Sequence, residues 1–206
     1  MNKTNILDQI SLLDKPYIIY RSKKGFCLYT DFSKKIILTK KNITSFLKKT
    51  NQKQKKIKKT DLYVGFFGYE ILNDLINVKI PKQKETNFPK GIFYKPEKII
   101  NLNEDLQYQP QKINKTDSKF KINIDRKNYT KIFNKFKTKI KKGETYQIKI
   151  CTKYRNKSKI DPLDYFCRLT KTNLAPEAFL IKDKEYSIIS CSPETLIVKK
   201  GNSIST

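Results

Sequence analysis

With 206 residues, 37% of them apolar and 12 each Tyr and Phe, the chain can bury one sizeable core or two small ones. Its net charge of +26 invites a polyanion partner, but 41 of the 45 basic residues are scattered Lys and only four are Arg, the residue that grips phosphates and bases bidentately, so no specific nucleic-acid partner is expected. A membrane protein is not expected either: no apolar run nears the roughly 18 residues of a spanning helix and no signal-peptide pattern opens the chain, which points to the cytoplasm.

Taken in chain order, Tyr17-Ile18-Ile19-Tyr20, Phe26-Cys27-Leu28-Tyr29 and Lys35-Ile36-Ile37-Leu38 read as short strands, split by Lys23-Lys24-Gly25 and Asp31-Phe32-Ser33. Asn42 to Lys49 fits a short helix capped by Asn42, and the Lys-, Gln- and Asn-rich residues 51–60 read as a solvated loop. In the strand Leu62–Glu70, Gly65 and Gly68 imply a bend or a close backbone approach. Strands are expected at 91–95 and 97–102, broken by Pro96, with a polar linker over 103–121. The linker divides an N-terminal region, 1–121, from a second region, 122–206.

Asp125 opens the clearest helix: Tyr129, Ile132, Phe133, Phe136 and Ile140 follow helical spacing, and Gly143 supplies a C-terminal cap. The next segment alternates as a strand, with Tyr146, Ile148, Ile150, Thr152 and Tyr154 on one face and Gln147, Lys149, Cys151 and Lys153 on the other. Asp161-Pro162 begins another helix, as an N-cap followed by a first-position proline. Strands 177–182 and 185–191 are joined through Asp183-Lys184, and 194–199 pairs with 203–206 around Gly201-Asn202. The fold class is therefore α+β with antiparallel sheets.

The cysteines, Cys27, Cys151, Cys167 and Cys191, are far apart and lie in apolar-patterned segments, so reduced core thiols are expected. Without His, neither a Cys–His nucleophile nor a usual zinc site is supported.

Four motifs stand in order: Gly65-Phe66-Phe67-Gly68-Tyr69-Glu70, Gly143-Glu144-Thr145-Tyr146-Gln147, Asn173-Leu174-Ala175-Pro176 and Ser192-Pro193-Glu194. Together they resemble the chorismate-binding component I family, which includes para-aminobenzoate (aminodeoxychorismate) synthase and anthranilate synthase. The resemblance implies an antiparallel β-sandwich flanked by helices, incomplete in this chain. It also implies chorismate as substrate, and ammonia supplied by a glutamine amidotransferase subunit.

Chorismate loses an allylic hydroxyl as a nucleophile adds to its ring, and hydroxide departs poorly unless protonated. By resemblance Glu194 is the acid, with burial required to keep its proton near neutrality; the plain alternative is an exposed Glu after a turn. Water-adding relatives carry Lys where Gln147 stands, to activate water as a base. Ammonia needs no such help, so Gln147 points to amination. Gly-Phe-Phe-Gly-Tyr and Ala175-Pro176-Glu177-Ala178-Phe179 are closer to the para-aminobenzoate branch, and the anthranilate branch is the alternative. Ile19-Tyr20-Arg21-Ser22 is the nearest match to the segment that holds tryptophan in relatives, which makes Ser22 and Pro176 the candidate tryptophan contacts. The family continues with an Arg-Pro-Ile-[Lys/Ala]-Gly-Thr segment and later glutamates that bind Mg²⁺. Neither lies within residues 1–206, so the resemblance implies Mg²⁺ ligands beyond Thr206 and a chain inactive by itself. Two other readings are a non-catalytic binding module and a Lys-rich nucleic-acid binder.

Overall fold

Antiparallel pairing dominates the computed structural model, which describes residues 6–11, 15–22, 25–50, 61–76, 88–102, 106, 108, 119–173, 175–192 and 194–206. The chain forms two compact units, Met1–Pro110 with Asp161–Thr206, and Gln111–Ile160. The first contains helix α1 (Ile6–Ser11), strands β1 (Tyr17–Ser22) and β2 (Gly25–Ile37), helix α2 (Ile43–Thr50), strand β3 (Val64–Phe67), helix α3 (Leu72–Leu75) and strand β4 (Gly91–Asn101). The second contains β5 (Lys121–Ile122), α4 (Arg126–Lys141) and β6 (Tyr154–Arg155). The chain then returns to the first unit as α5 (Pro162–Thr172), β7 (Glu177–Lys182), β8 (Ser187–Ser192), β9 (Val198–Lys200) and β10 (Ser203–Ser205).

The main sheet has the order β3-β4-β2-β1-β7-β8, and every neighbouring pair is antiparallel. This is the expected α+β class, with the sheet flanked by helices. Strand periodicity divides its side chains between two faces. On one, Tyr17, Ile19, Phe26, Leu28, Ala178 and Leu180 pack with Leu163, Phe166 and Cys167 of α5. On the other, Ile18, Tyr94 and Ile181 form a separate cluster with Tyr29, Val64 and Phe179 against it.

Helix α5 begins as its sequence dictates: the Asp161 carboxylate accepts from the Asp164 N–H and Pro162 takes the first turn. Helix α4 starts on Asp125, which accepts from the Asn128 N–H. It ends where Gly143, at φ +73°, lets its own N–H reach the Ile140 carbonyl and the Glu144 N–H reach Lys139. Asn42 precedes α2, but its side chain is turned backwards: it accepts from the Thr39 N–H and donates to the Ile37 carbonyl, so the expected cap is not formed.

Several expected breaks are absent. The strands read at 26–29 and 35–38 are one strand, β2, and β4 runs through Pro96. These two departures compensate each other. Pro96 stands opposite Phe32 where the register slips between Phe32 and Lys34, and Asp31 turns with φ +51° just before. A bulge there tolerates a residue that cannot donate to the ladder. The connection between β7 and β8 is four residues long, Asp183–Tyr186, rather than the two expected, because Lys182 pairs with Ser187. The loop assigned to 51–60 lies outside the described residues, as does most of the 103–121 linker, although Leu106 and Tyr108 within it are buried.

Of the strand expected over 146–154, the ladder among the described residues is confined to Tyr154–Arg155 against Lys121–Ile122, extended by the Asn123 N–H donating to the Lys153 carbonyl at 3.1 Å and the Lys153 N–H donating to Asn123 Oδ1 at 2.6 Å. The apolar stripe of α4 is likewise uncovered: no residue of that helix is fully buried. The cysteines are all free, but only Cys167 is buried, its thiol pushed up to about 12 chiefly by loss of solvent; Cys151 is exposed, contrary to expectation.

Asp183 anchors the sheet's second face. Its buried carboxylate accepts from Lys35 Nζ at 2.6 Å, the Tyr94 hydroxyl at 2.8 Å and the Lys184 N–H at 2.8 Å. Burial alone would raise the acid's pKa, but the Lys35 and Tyr94 hydrogen bonds lead the contacts that outweigh it, and the carboxyl sits below its ordinary value. A depressed folded value means that the stabilisation is complete above the unfolded range near pH 4 and is lost as pH falls through the folded value. Asp183→Asn is expected to cost about 1.5–3 kcal/mol at neutral pH. The loss should shrink in acid, a pattern checked by urea unfolding at pH 7 and pH 3.

Candidate functional site

The sheet face that carries Ile18 and Tyr94 also bounds a cavity of about 860 Å³. Period-two alternation brings Ile18 and Tyr20 of β1 and Glu177, Phe179 and Ile181 of β7 to its wall. Tyr29, Val64 and Gly65 add an apolar and aromatic surface, and residues 194–199 close one side. Gly65 contributes a bare backbone: a Cβ there would lie 1.9 Å from the Ile92 carbonyl oxygen, which fulfils the expectation of a close approach.

Two carboxylates line the cavity, and their surroundings differ. Glu177 is fully engaged, with one oxygen accepting from the Tyr20 hydroxyl at 2.5 Å and the other from the Thr195 hydroxyl at 2.5 Å. Burial, and then the bond to Glu177, raises the Tyr20 phenol well above its ordinary value, so it stays a donor. Ser192 is the cross-strand partner of Glu177, so the chain leaves β8 at that level and Thr195 folds back onto the same carboxylate. Glu194, beside Thr195, is exposed; its N–H lies 3.5 Å from Ser192 Oγ and its carboxylate accepts no hydrogen bond among the described residues. The burial anticipated around Glu194 is therefore not provided by the described residues.

Sequence reading overlooked Tyr20, Glu177 and Thr195. The available signal was the alternation of β7, which puts Glu177 on the face of Phe179 and Ile181, next to the Ser-Pro-Glu segment across the hairpin.

The other candidate residues fall as follows. Gln147 belongs to the second unit, where it is exposed and its carbonyl accepts from the Thr145 hydroxyl at 3.1 Å. Glu144 in the same motif is paired with Lys139. Ser22 ends β1, while Pro176 is an exposed turn residue immediately before β7. Because β1 and β7 are antiparallel, these two positions share one end of the sheet, where Arg21 donates to the Ala175 carbonyl at 2.8 Å. Among the described residues no group of three or more Cys, Asp or Glu is placed to hold a metal ion, and no helix is long and apolar enough to cross a membrane.

Comparison with known proteins agrees with the motifs. Residues 15–206 match the family of chorismate binding enzymes. Anthranilate synthase component 1 from Buchnera aphidicola subsp. Pemphigus spyrothecae is 24% identical over 181 residues, covering 71% of this chain and 34% of the relative. The same enzyme from Buchnera aphidicola subsp. Diuraphis noxia is 24% identical over 200 residues, covering 80% and 37%. The anthranilate synthase component I-like protein of Synechocystis sp. is 23% identical over 165 residues, covering 68% and 34%. The chain thus spans about a third of the length of these curated relatives. With four motifs in order and nearly its whole length matched, the chain belongs to the chorismate-binding enzyme family.

Proposed function

We propose that this chain supplies the first part of a chorismate-aminating synthase, with Glu194 as the acid that protonates the departing hydroxyl and Gln147 as the neutral group at the nucleophile's side. The observation that carries the reading is the division of labour between the cavity's carboxylates. Both oxygens of Glu177 are spent on Tyr20 and Thr195, whereas the Glu194 carboxylate is unengaged among the described residues. A carboxyl that holds the loop and one that is free to exchange a proton is the arrangement an acid catalyst needs.

The product is assigned to the aminodeoxychorismate branch on Ala175-Pro176 and Ala178-Phe179. The names of the curated relatives favour anthranilate as the second reading. Ammonia would come from a glutamine amidotransferase subunit, in the cytoplasm. Ser22 and Pro176 are proposed tryptophan contacts. Mg²⁺ belongs to the reading as well, although the described residues offer no site for it.

The test replaces the matching third of the Synechocystis relative with residues 15–206 and supplies chorismate, ammonium and Mg²⁺. Mass spectrometry is expected to find an aminated product, either 4-amino-4-deoxychorismate or anthranilate, which decides the branch. Gln147→Lys is expected to divert product toward the hydrated ring, because an amine at that position can act as base to water. A hydrated product from the unaltered hybrid would sink the amination reading. The 206-residue chain alone is expected to form neither product.

A further inference from the structure

We infer that Tyr20, Glu177 and Thr195 form one hydrogen-bonded latch that sets the position of Glu194, with Tyr20 and Thr195 as its positioning residues. Tyr20 orients the Glu177 carboxylate, and the carboxylate holds the loop that carries Glu194. Only the consequence for turnover rests on the function proposed above. The first observation is how little else holds that loop. Residues 194–197 belong to no helix or strand, and Leu196 and Ile197 are 83% and 61% exposed. Strands β9 and β10 follow, but among the described residues they pair only with each other and give the loop no ladder to the main sheet. The Glu194 N–H stands 3.5 Å from Ser192 Oγ, at the outer limit of a hydrogen bond, whereas the Thr195 hydroxyl reaches Glu177 at 2.5 Å. Among the described residues, that second contact is the one short hydrogen bond from 194–197 to the main sheet.

The second observation is where the two ends of the latch are rooted. Strand β1 is hydrogen-bonded on both sides, and Tyr20 stands between Cys27 of β2 and Phe179 of β7. That is the rigid end. Glu177 opens β7 opposite Ser192, the last residue of β8, so it stands where the chain leaves the sheet. A glutamate side chain left alone samples several rotamers. With one oxygen taken by the phenol at 2.5 Å, the other is turned toward Thr195. Both bonds run from a hydroxyl to a carboxylate, the stronger, charge-assisted kind. Burial, and then the bond to Glu177, keeps the phenol above its ordinary value, so the rigid end remains a donor through the neutral range. Glu194 is the covalent neighbour of Thr195, so a loop set loose carries the acid with it. A displacement of about 1 Å can cost a reacting group on the order of a hundredfold in rate. A loop that still samples the right place should lose less.

Three variants separate the parts. Thr195→Val removes the hydroxyl and keeps the shape, Thr195→Ser keeps the hydroxyl, and Tyr20→Phe removes the phenol oxygen alone. In the whole 206-residue chain, isotopically labelled for nitrogen relaxation, Thr195→Val is expected to lower the amide order parameters of Glu194 to Ile197 from about 0.85 to below about 0.6. Those of 187–191 should not move. Tyr20→Phe is expected to act in the same direction, and to add nothing in the Thr195→Val background, because the carboxylate then has no loop to hold. In the hybrid enzyme, with the rest of the synthase present, each of these two variants is expected to lower kcat about tenfold. The double variant should fall no further than about twofold below Thr195→Val, and Thr195→Ser should recover most of the loss. Equal losses in Thr195→Val and Thr195→Ser would trace the effect to packing and overturn the latch. So would unchanged order parameters in Thr195→Val, or losses from Tyr20→Phe and Thr195→Val that multiply. An unaltered hybrid that forms no aminated product, beside order parameters that respond as stated, would sink the proposed reaction and leave the latch standing.

Discussion

Gly65→Ala is expected to destabilise the first unit by about 3 kcal/mol or more, although the change adds a single methyl group. The added Cβ would stand 1.9 Å from the Ile92 carbonyl oxygen and 2.8 Å from both the Ile92 carbonyl carbon and the Phe93 Cα. These obstacles are main chain, not the movable end of a side chain, so β3 must separate from β4 to admit the methyl. Four paired positions, Val64 to Phe67 against Tyr94 to Gly91, hold β3 in place, and among the described residues it has no second neighbour in the sheet. Thermal unfolding followed by circular dichroism should move down by roughly 6–12 °C. Hydrogen exchange should accelerate first in β3. A variant that melts within about 2 °C of the parent would show that the two strands approach less closely than described here.

Glu194→Gln in the hybrid enzyme is expected to lower kcat by about 10²–10⁴, the usual worth of a positioned general acid. That is about 3–5 kcal/mol of barrier. KM is expected to change little, because Gln preserves shape and polarity and removes only the transferable proton. The complementary change separates chemistry from positioning. Glu177→Ala leaves the proposed acid in place but releases both the Tyr20 and the Thr195 hydroxyls, so its effect should be smaller and should include a rise in KM. Steady-state kinetics with ammonium as nitrogen donor checks both variants. Retention of more than a tenth of kcat by Glu194→Gln would remove that residue from the acid's role.

The parts of the fold that could be read in the sequence are those with local causes. Asp125 and Gly143 bound α4, Asp161 and Pro162 start α5, and each works through groups within a few residues of itself. The alternation of β1 and β7 likewise follows from pleating alone. What escaped notice depends on partners remote in sequence. Pro96 looks like a strand breaker until the bulge at Phe32 is placed opposite it. Asp183 looks like a turn residue until Lys35 and Tyr94, remote in sequence, converge on its carboxylate.

The candidate site divides in the same way. Glu194 and Gln147 can be singled out from sequence because they stand in short motifs, whereas the hydrogen bonds of Glu177 form only when a hairpin brings Thr195 back and β1 delivers Tyr20. At 146–152 the opposite happened. The pattern of a strand was plain, but a pattern cannot supply the neighbour that turns it into a ladder.

The arrangement of the central strands also governs how the protein is made. The hydrogen bond from Tyr20 to Glu177 spans 157 positions, so β1 emerges from the ribosome roughly ten to thirty seconds before β7 can meet it. During that interval one side of β1 lacks its eventual neighbour, and the apolar surfaces that α5 later covers face the crowded cell. Conditions that slow translation or raise temperature should therefore lose yield to aggregation of nascent chains, well before the finished molecule itself begins to melt.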